Sequence, residues 1–175
     1  MIAFAEITRK PVCVVSIDFN AAFDKIWHEY LQEILSAHGF SASFNQRIMR
    51  LYNNATSEIQ INDFRSSLIP IKSSIRQGCP LSMLLYAMCL NPLMPSLEKN
   101  LSGIKIARRQ VRTTVVAHAD DVTIFLSCVA DIQQPKETLL AFEAATGAVV
   151  TYTKNLSTGS RHLGYYETDY GHPVP

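Results

Sequence analysis

Two short β-branched runs in this chain each end on acid. The stretch "VCVVSIDF" rises through apolar residues to Asp18, and "TTVVAHADDVTIF" passes Asp120 and Asp121 before turning apolar again. Runs of this length and composition predict buried strands, the second pair joined by a tight turn at residues 119–121. Asp120 and Asp121 sharpen the constraint. Two carboxylates about 4 Å apart repel by roughly 4 kcal/mol at an effective dielectric near 20, so solvent, a shared proton or a cation must hold them. If the two acid-ended strands are neighbours in one sheet, three carboxylates meet at one place. Hard divalent cations such as Mg²⁺ take oxygen ligands of that kind, and a pair of them activates an attacking hydroxyl and stabilises a leaving oxygen in phosphoryl transfer. A plainer reading stands beside it: Asp is a favoured turn residue, and Asp18 can serve as a helix cap.

At 175 residues the chain fits one domain, and a chain of this size buries about 70% of its extended surface on folding. Sixteen Lys and Arg against fifteen Asp and Glu leave a net charge of +1. There is no global basic field, so contact with a polyanion rests on local clusters such as Arg108, Arg109 and Arg112, and weak nucleic-acid binding is expected. Cys13, Cys79, Cys89 and Cys128 show no paired metal-ligand spacing and lie among apolar neighbours. That pattern predicts reduced, buried thiols of an intracellular protein, without distinguishing nucleus from cytoplasm. The N-terminus "MIAFAEITRK" lacks the basic start and apolar core of a signal peptide. The most apolar run, residues 81–94, is too short to span a bilayer and is interrupted by Asn91 and Pro92, so a soluble protein with no membrane partner is expected.

Periodicity adds the remaining elements. Apolar residues from Ile26 to Leu35 recur at helical spacing after Asp24, and Gly39 supplies a left-handed stop. Ser43 is the expected cap of a second helix with Phe44, Ile48, Leu51 and Tyr52 on one face. "SEIQIN" and "SLIPIKSSI" read as two strands around a turn at residues 62–65, with Pro70 pushing the second toward an edge. Residues 81–97 read as a helix started by Pro80 and broken or kinked by Pro92 and Pro95. Asp131 opens a last helix that Gly147 ends, and "AVVTYT" is extended.

Three segments, "SIDFNAAFD", "IRQGCPLSMLLYAMCLNPL" and "VAHADDVTIF", in this order and roughly this spacing, resemble the palm of reverse transcriptases, most closely those of non-LTR (LINE-like) retrotransposons. Asp18, Ala22, Phe23 and Asp24 match the first motif. Arg76, Gln77, Gly78, Pro80 and Ser82 match the second, and Ala119, Asp120 and Asp121 the third. The resemblance covers residues 12–155, leaving 1–11 as a lead-in and 156–175 as an irregular tail. It implies an α+β palm: an antiparallel sheet with helices packed on one face, and with fingers and thumb largely missing.

Carried over residue by residue, it implies that Asp18, Asp120 and Asp121, with the backbone carbonyl of Phe19, hold two Mg²⁺ ions, Mn²⁺ being able to replace them. A primer 3′-hydroxyl then attacks the α-phosphate of a dNTP on an RNA template. Phe23 falls at the steric gate against a ribose 2′-hydroxyl, Gln77 and Gly78 line the dNTP site, and Lys154 falls where a lysine protonates the leaving pyrophosphate. The chain departs from the pattern at His118, where Tyr or Phe is usual. Together with the missing subdomains, that departure supports an alternative: a catalytically inactive palm remnant. A metal-dependent phosphodiesterase on the same acids leaves the Arg76 to Ser82 motif and Phe23 unexplained.

Overall fold

The computed structural model describes residues 12–99, 101–105, 112–158 and 161–167. At its centre β1 (Val12–Asn20) is hydrogen-bonded on one side to β9 (Asp121–Leu126) and on the other to β10 (Val149–Thr158), both antiparallel. β8 (Val115–His118) pairs with β9, and β11 (Arg161–Glu167) pairs with β10, giving the order β11-β10-β1-β9-β8. The two acid-ended strands are therefore direct neighbours.

Burial alternates along β1: Cys13, Val15, Ile17 and Phe19 are buried, whereas Asp18 and Asn20 are exposed. This is the period-two signature of a strand with one face in a core. The register pairs Cys13, Val15 and Ile17 with Leu126, Ile124 and Val122, all buried. Those residues share one apolar cluster with Ala22 of α1 (Ala22–Lys25), Leu31 and Leu35 of α2 (His28–Ala37) and Ile48 of α3 (Ala42–Met49). Leu85 of α4 (Ser82–Leu90), Leu97 of α5 (Leu93–Glu98) and Phe142 of α6 (Gln133–Thr146) complete it. On the opposite face, Phe125 packs with Ile104 and Val14 in a small satellite cluster. The result is the expected antiparallel α+β fold.

Several elements differ from expectation, each for a local reason. The helix expected from Asp24 to Gly39 is broken at Ile26 and Trp27, both extended. Backbone groups there bond elsewhere: Ser74 N–H donates to the Ile26 carbonyl at 3.0 Å, Trp27 N–H to Thr146 at 2.9 Å, and His28 N–H to Lys72 at 3.0 Å. The cap of α3 is Ser41, whose Oγ accepts from Phe44 N–H at 3.3 Å, and not Ser43. That start turns Asn45, Ile48, Met49 and Tyr52 inward and leaves Phe44 and Leu51 exposed.

The expected pair of strands is divided into two short ribbons. β2 (Thr56–Ser57) pairs with β5 (Ile69–Pro70), and β3 (Gln60–Ile61) with β4 (Phe64–Arg65) around Asn62 and Asp63. The helix expected over residues 81–97 starts after Pro80, at Ser82, and is split at Asn91 and Pro92, while Pro95 sits inside the first turn of α5. β6 (Ile104–Lys105) pairs with β7 (Arg112–Thr113), and Arg108 and Arg109 lie outside the described residues. Cys128 is exposed, unlike the buried Cys13 and Cys89, and among the described residues no disulfide forms. Residues 161–167, expected as irregular tail, form a strand on β10. Among the described residues no helix is long and apolar enough to cross a membrane.

The end of α6 joins the chain around Trp27. Gly147 holds φ at 78°, and a methyl group there would stand 2.6 Å from Trp27 Cε2 and 2.8 Å from Cδ1. Gly147→Ala is expected to lower stability by more than the ~1–2 kcal/mol of a left-handed non-glycine residue. In a Trp27→Ala background the loss falls to that backbone value, read from urea unfolding.

Tyr30, whose O–H donates to the Cys89 carbonyl at 3.0 Å, is pushed up from 10.0 to about 12, chiefly by burial. A folded-state value above the unfolded one stabilises fully below the unfolded value and is lost as pH rises through the folded one. The urea midpoint should therefore fall between about pH 10 and 12, and fall less in Tyr30→Phe.

Candidate active site

β1 and β9 bring the acids of distant segments together as neighbours in space. The last register pair at this end is Ile17 with Val122, and one further step sets Asp18 opposite Asp121. Residues directly opposite on antiparallel strands have Cβ atoms about 4.5–5.5 Å apart and point to the same face. Both acids are exposed. Asp120 is half-buried in the two-residue turn between β8 and β9, and Ala119 before it takes φ 55°. That left-handed conformation costs a non-glycine residue about 1–2 kcal/mol, so the turn carrying Asp120 is held under strain. His118 lies opposite Asp121 across the hairpin.

The backbone positions converge; among the described residues no three His, Cys, Asp or Glu side chains form a ready-made group for a metal ion. The donor types nonetheless fit one. Two carboxylates facing each other at a sheet end, with a third on the adjoining turn, make an all-oxygen set suited to a hard divalent cation. Phe19 follows Asp18 on β1 opposite Val150, its ring buried edge-on to Phe142 at 6.0 Å, which leaves only its carbonyl as a ligand.

Phe23, on α1, is half-buried with its ring 4.6 Å from that of Tyr86 on α4, at 32°. Its carbonyl accepts from Ile75 N–H at 2.6 Å, which ties the first motif to the start of the second. Gln77 is exposed and its Nε2 donates to the Asp24 carboxylate at 3.4 and 3.5 Å. Gly78 takes φ 82° with nothing within 4 Å of a hypothetical Cβ, so the turn geometry, and no close neighbour, requires glycine there. The buried Ser82 hydroxyl donates to the Arg76 carbonyl, pinning this loop to the first turn of α4. Lys154 is not brought to the acid end: β10 sets it opposite Val15, three residues from the Asp18–Thr151 pair, roughly 10 Å by strand rise.

One residue escaped the sequence reading, and one motif residue has a contact that spacing did not reveal. Tyr86 was simply part of an apolar helix, yet it is 1% exposed beneath Phe23. Burial first, then the charges of Asp120, Cys89 and Asp18, push its phenol up. The available signal was its spacing of four from Ser82, which places both on one helix face. Asp24, read as a helix start, holds Gln77.

Comparison with known proteins agrees with this geometry. The pattern of the family described as reverse transcriptase (RNA-dependent DNA polymerase) matches residues 2–165. The chain is 29% identical over 155 residues to the transposon TX1 uncharacterized 149 kDa protein of Xenopus laevis, covering 89% of this chain and 12% of that protein. It is 25% identical over 141 residues to the retrovirus-related Pol polyprotein from type-1 retrotransposable element R2 of Popillia japonica, covering 81% and 23%. The corresponding R2DM polyprotein of Drosophila melanogaster is 23% identical over 146 residues, 83% of this chain and 14% of its own length. The chain thus spans less than a quarter of these relatives. A solved telomerase from Candida tropicalis, in complex with a TWJ fragment of telomeric RNA, superposes with TM-score 0.65 at 12% identity, over 86% of this chain and 27% of that one. At that identity the likeness is one of fold. Matched over most of its length by the family pattern, and similar in sequence to proteins of non-LTR elements, the chain belongs to the reverse transcriptase (RNA-dependent DNA polymerase) family.

Proposed function

We propose that the chain is the palm of an RNA-directed DNA polymerase of a non-LTR retrotransposon, and that Asp18, Asp120, Asp121 and the Phe19 carbonyl hold two divalent cations, Mg²⁺ or Mn²⁺. The observation that carries this reading is the register of β1 on β9, which sets Asp18 across from Asp121 with Asp120 on the adjoining turn. When bound, such ions activate a primer 3′-hydroxyl and neutralise charge on the triphosphate. The chain's own residues then position the reactants. Phe23, backed on one side, excludes a 2′-hydroxyl from the nucleotide sugar. Gln77 exchanges its long contact with Asp24 for the dNTP, and the Gly78 turn exposes backbone N–H groups beside it. RNA template and DNA primer are the partners, gripped weakly by a chain of net charge +1.

A second reading, a palm that folds without catalysing, is favoured by His118 opposite Asp121. Ion binding separates the two. Without ions, opposed like charges on neighbouring strands destabilise by about 0.2–1 kcal/mol, so Asp121→Asn should unfold at higher urea than wild type. Added Mn²⁺ should reverse that order, and the affinity read by electron paramagnetic resonance should fall about tenfold or more in the variant. A wild-type chain that binds no Mn²⁺ supports the remnant. Primer extension on an RNA template should require Mg²⁺ or Mn²⁺ and be abolished in Asp120→Asn; extension that survives this change removes the assignment.

A further inference from the structure

A wall that rejects one extra hydroxyl must not yield. An apolar pocket by itself discriminates poorly against an analogue that merely adds a hydroxyl, because the larger ligand is accommodated by small shifts. Rigidity of the wall therefore sets the ratio. Phe23 is only half-buried, and α1, which carries it, is a single turn of four residues without a side-chain cap. Its Phe23 carbonyl is tied to the second motif by accepting from Ile75 N–H. A ring on so short an element needs support from outside it.

That support is the ring of Tyr86, 4.6 Å away and tilted by 32°. Tyr86 is itself immobile: it is 1% exposed, lies mid-way along α4 and is four residues from Ser82, which anchors that helix to the Arg76 carbonyl. We infer that Tyr86 is a positioning residue for sugar selection: it backs the Phe23 ring so that the ring cannot retreat from a ribose. The inference rests on the reading of Phe23 as the residue that faces the sugar. The Tyr86 ring lies at van der Waals range of Phe23 from the middle of α4, the helix that opens at Ser82.

The test compares binding of dCTP and CTP, which differ by the 2′-hydroxyl, to the full chain in Mn²⁺ by equilibrium dialysis. Wild type should favour dCTP, and Phe23→Ala should lose the preference. Tyr86→Met, whose flexible side chain refills the volume without a flat ring, should lower the CTP to dCTP ratio of dissociation constants about two- to tenfold, the range of an aromatic pair. Tyr86→Phe should keep the ratio within about twofold, since it retains the ring. General damage to the fold weakens both nucleotides together and leaves the ratio unmoved. A wild type without preference, or a Phe23→Ala variant that keeps it, overturns the reading of Phe23. If Phe23→Ala loses the preference while Tyr86→Met retains it, the inference alone falls. Should Tyr86→Met not fold, aromatic NMR of Phe23 in the wild-type chain decides: a single rotamer supports the inference and averaging over several rotamers overturns it.

Discussion

The pairing of β1 with β9 governs everything at the acid end. Side chains alternate along a strand, so a slip of one residue would turn Ile17 and Val15 to solvent and drive Asp18 into the core. Three buried pairs oppose that slip, Cys13 with Leu126, Val15 with Ile124 and Ile17 with Val122. Burying a Val, Ile or Leu side chain is worth about 1.5–3 kcal/mol, whereas facing like charges cost only about 0.2–1 kcal/mol. The apolar side of the strand therefore decides the register, and the acids are carried into opposition with it.

The rest of the site is assembled from segments distant in the chain, and its ties are few. Ile75 N–H holds the Phe23 carbonyl, Gln77 reaches Asp24, and the Tyr86 ring lies under Phe23. Each contact joins the first motif to the second across about fifty to sixty positions of sequence. The loop between them is fixed at its far end by Ser82 on the Arg76 carbonyl. First and second motifs thus behave as one unit standing beside the acid hairpin.

Much of this was legible in the sequence because strand alternation and turn chemistry are local. The buried run before Asp18, the tight turn at Ala119 and Asp120, and Gly147 ending its helix all follow from residues within a few positions of one another. What escaped depends on partners far away. Ile26 and Trp27 sit in a helical pattern, yet residues 72–74 and 146 compete for their backbone groups and win. Ser41 and Ser43 are equivalent as caps until the inward face of α3 is known. Lys154 fits a motif by spacing, but only the β1–β10 register reveals how far along the sheet it falls. Tyr86 reads as filler because its meaning lies in Phe23, sixty-three positions earlier.

The alternation along β1 divides labour between two sets of positions. Cys13, Val15, Ile17 and Phe19 keep the molecule folded, while the intervening Asp18 projects away from that packing. Selection on architecture and selection on chemistry act on different letters of the same nine-residue strand. Polar positions on such a strand can thus change one at a time while the scaffold is inherited intact.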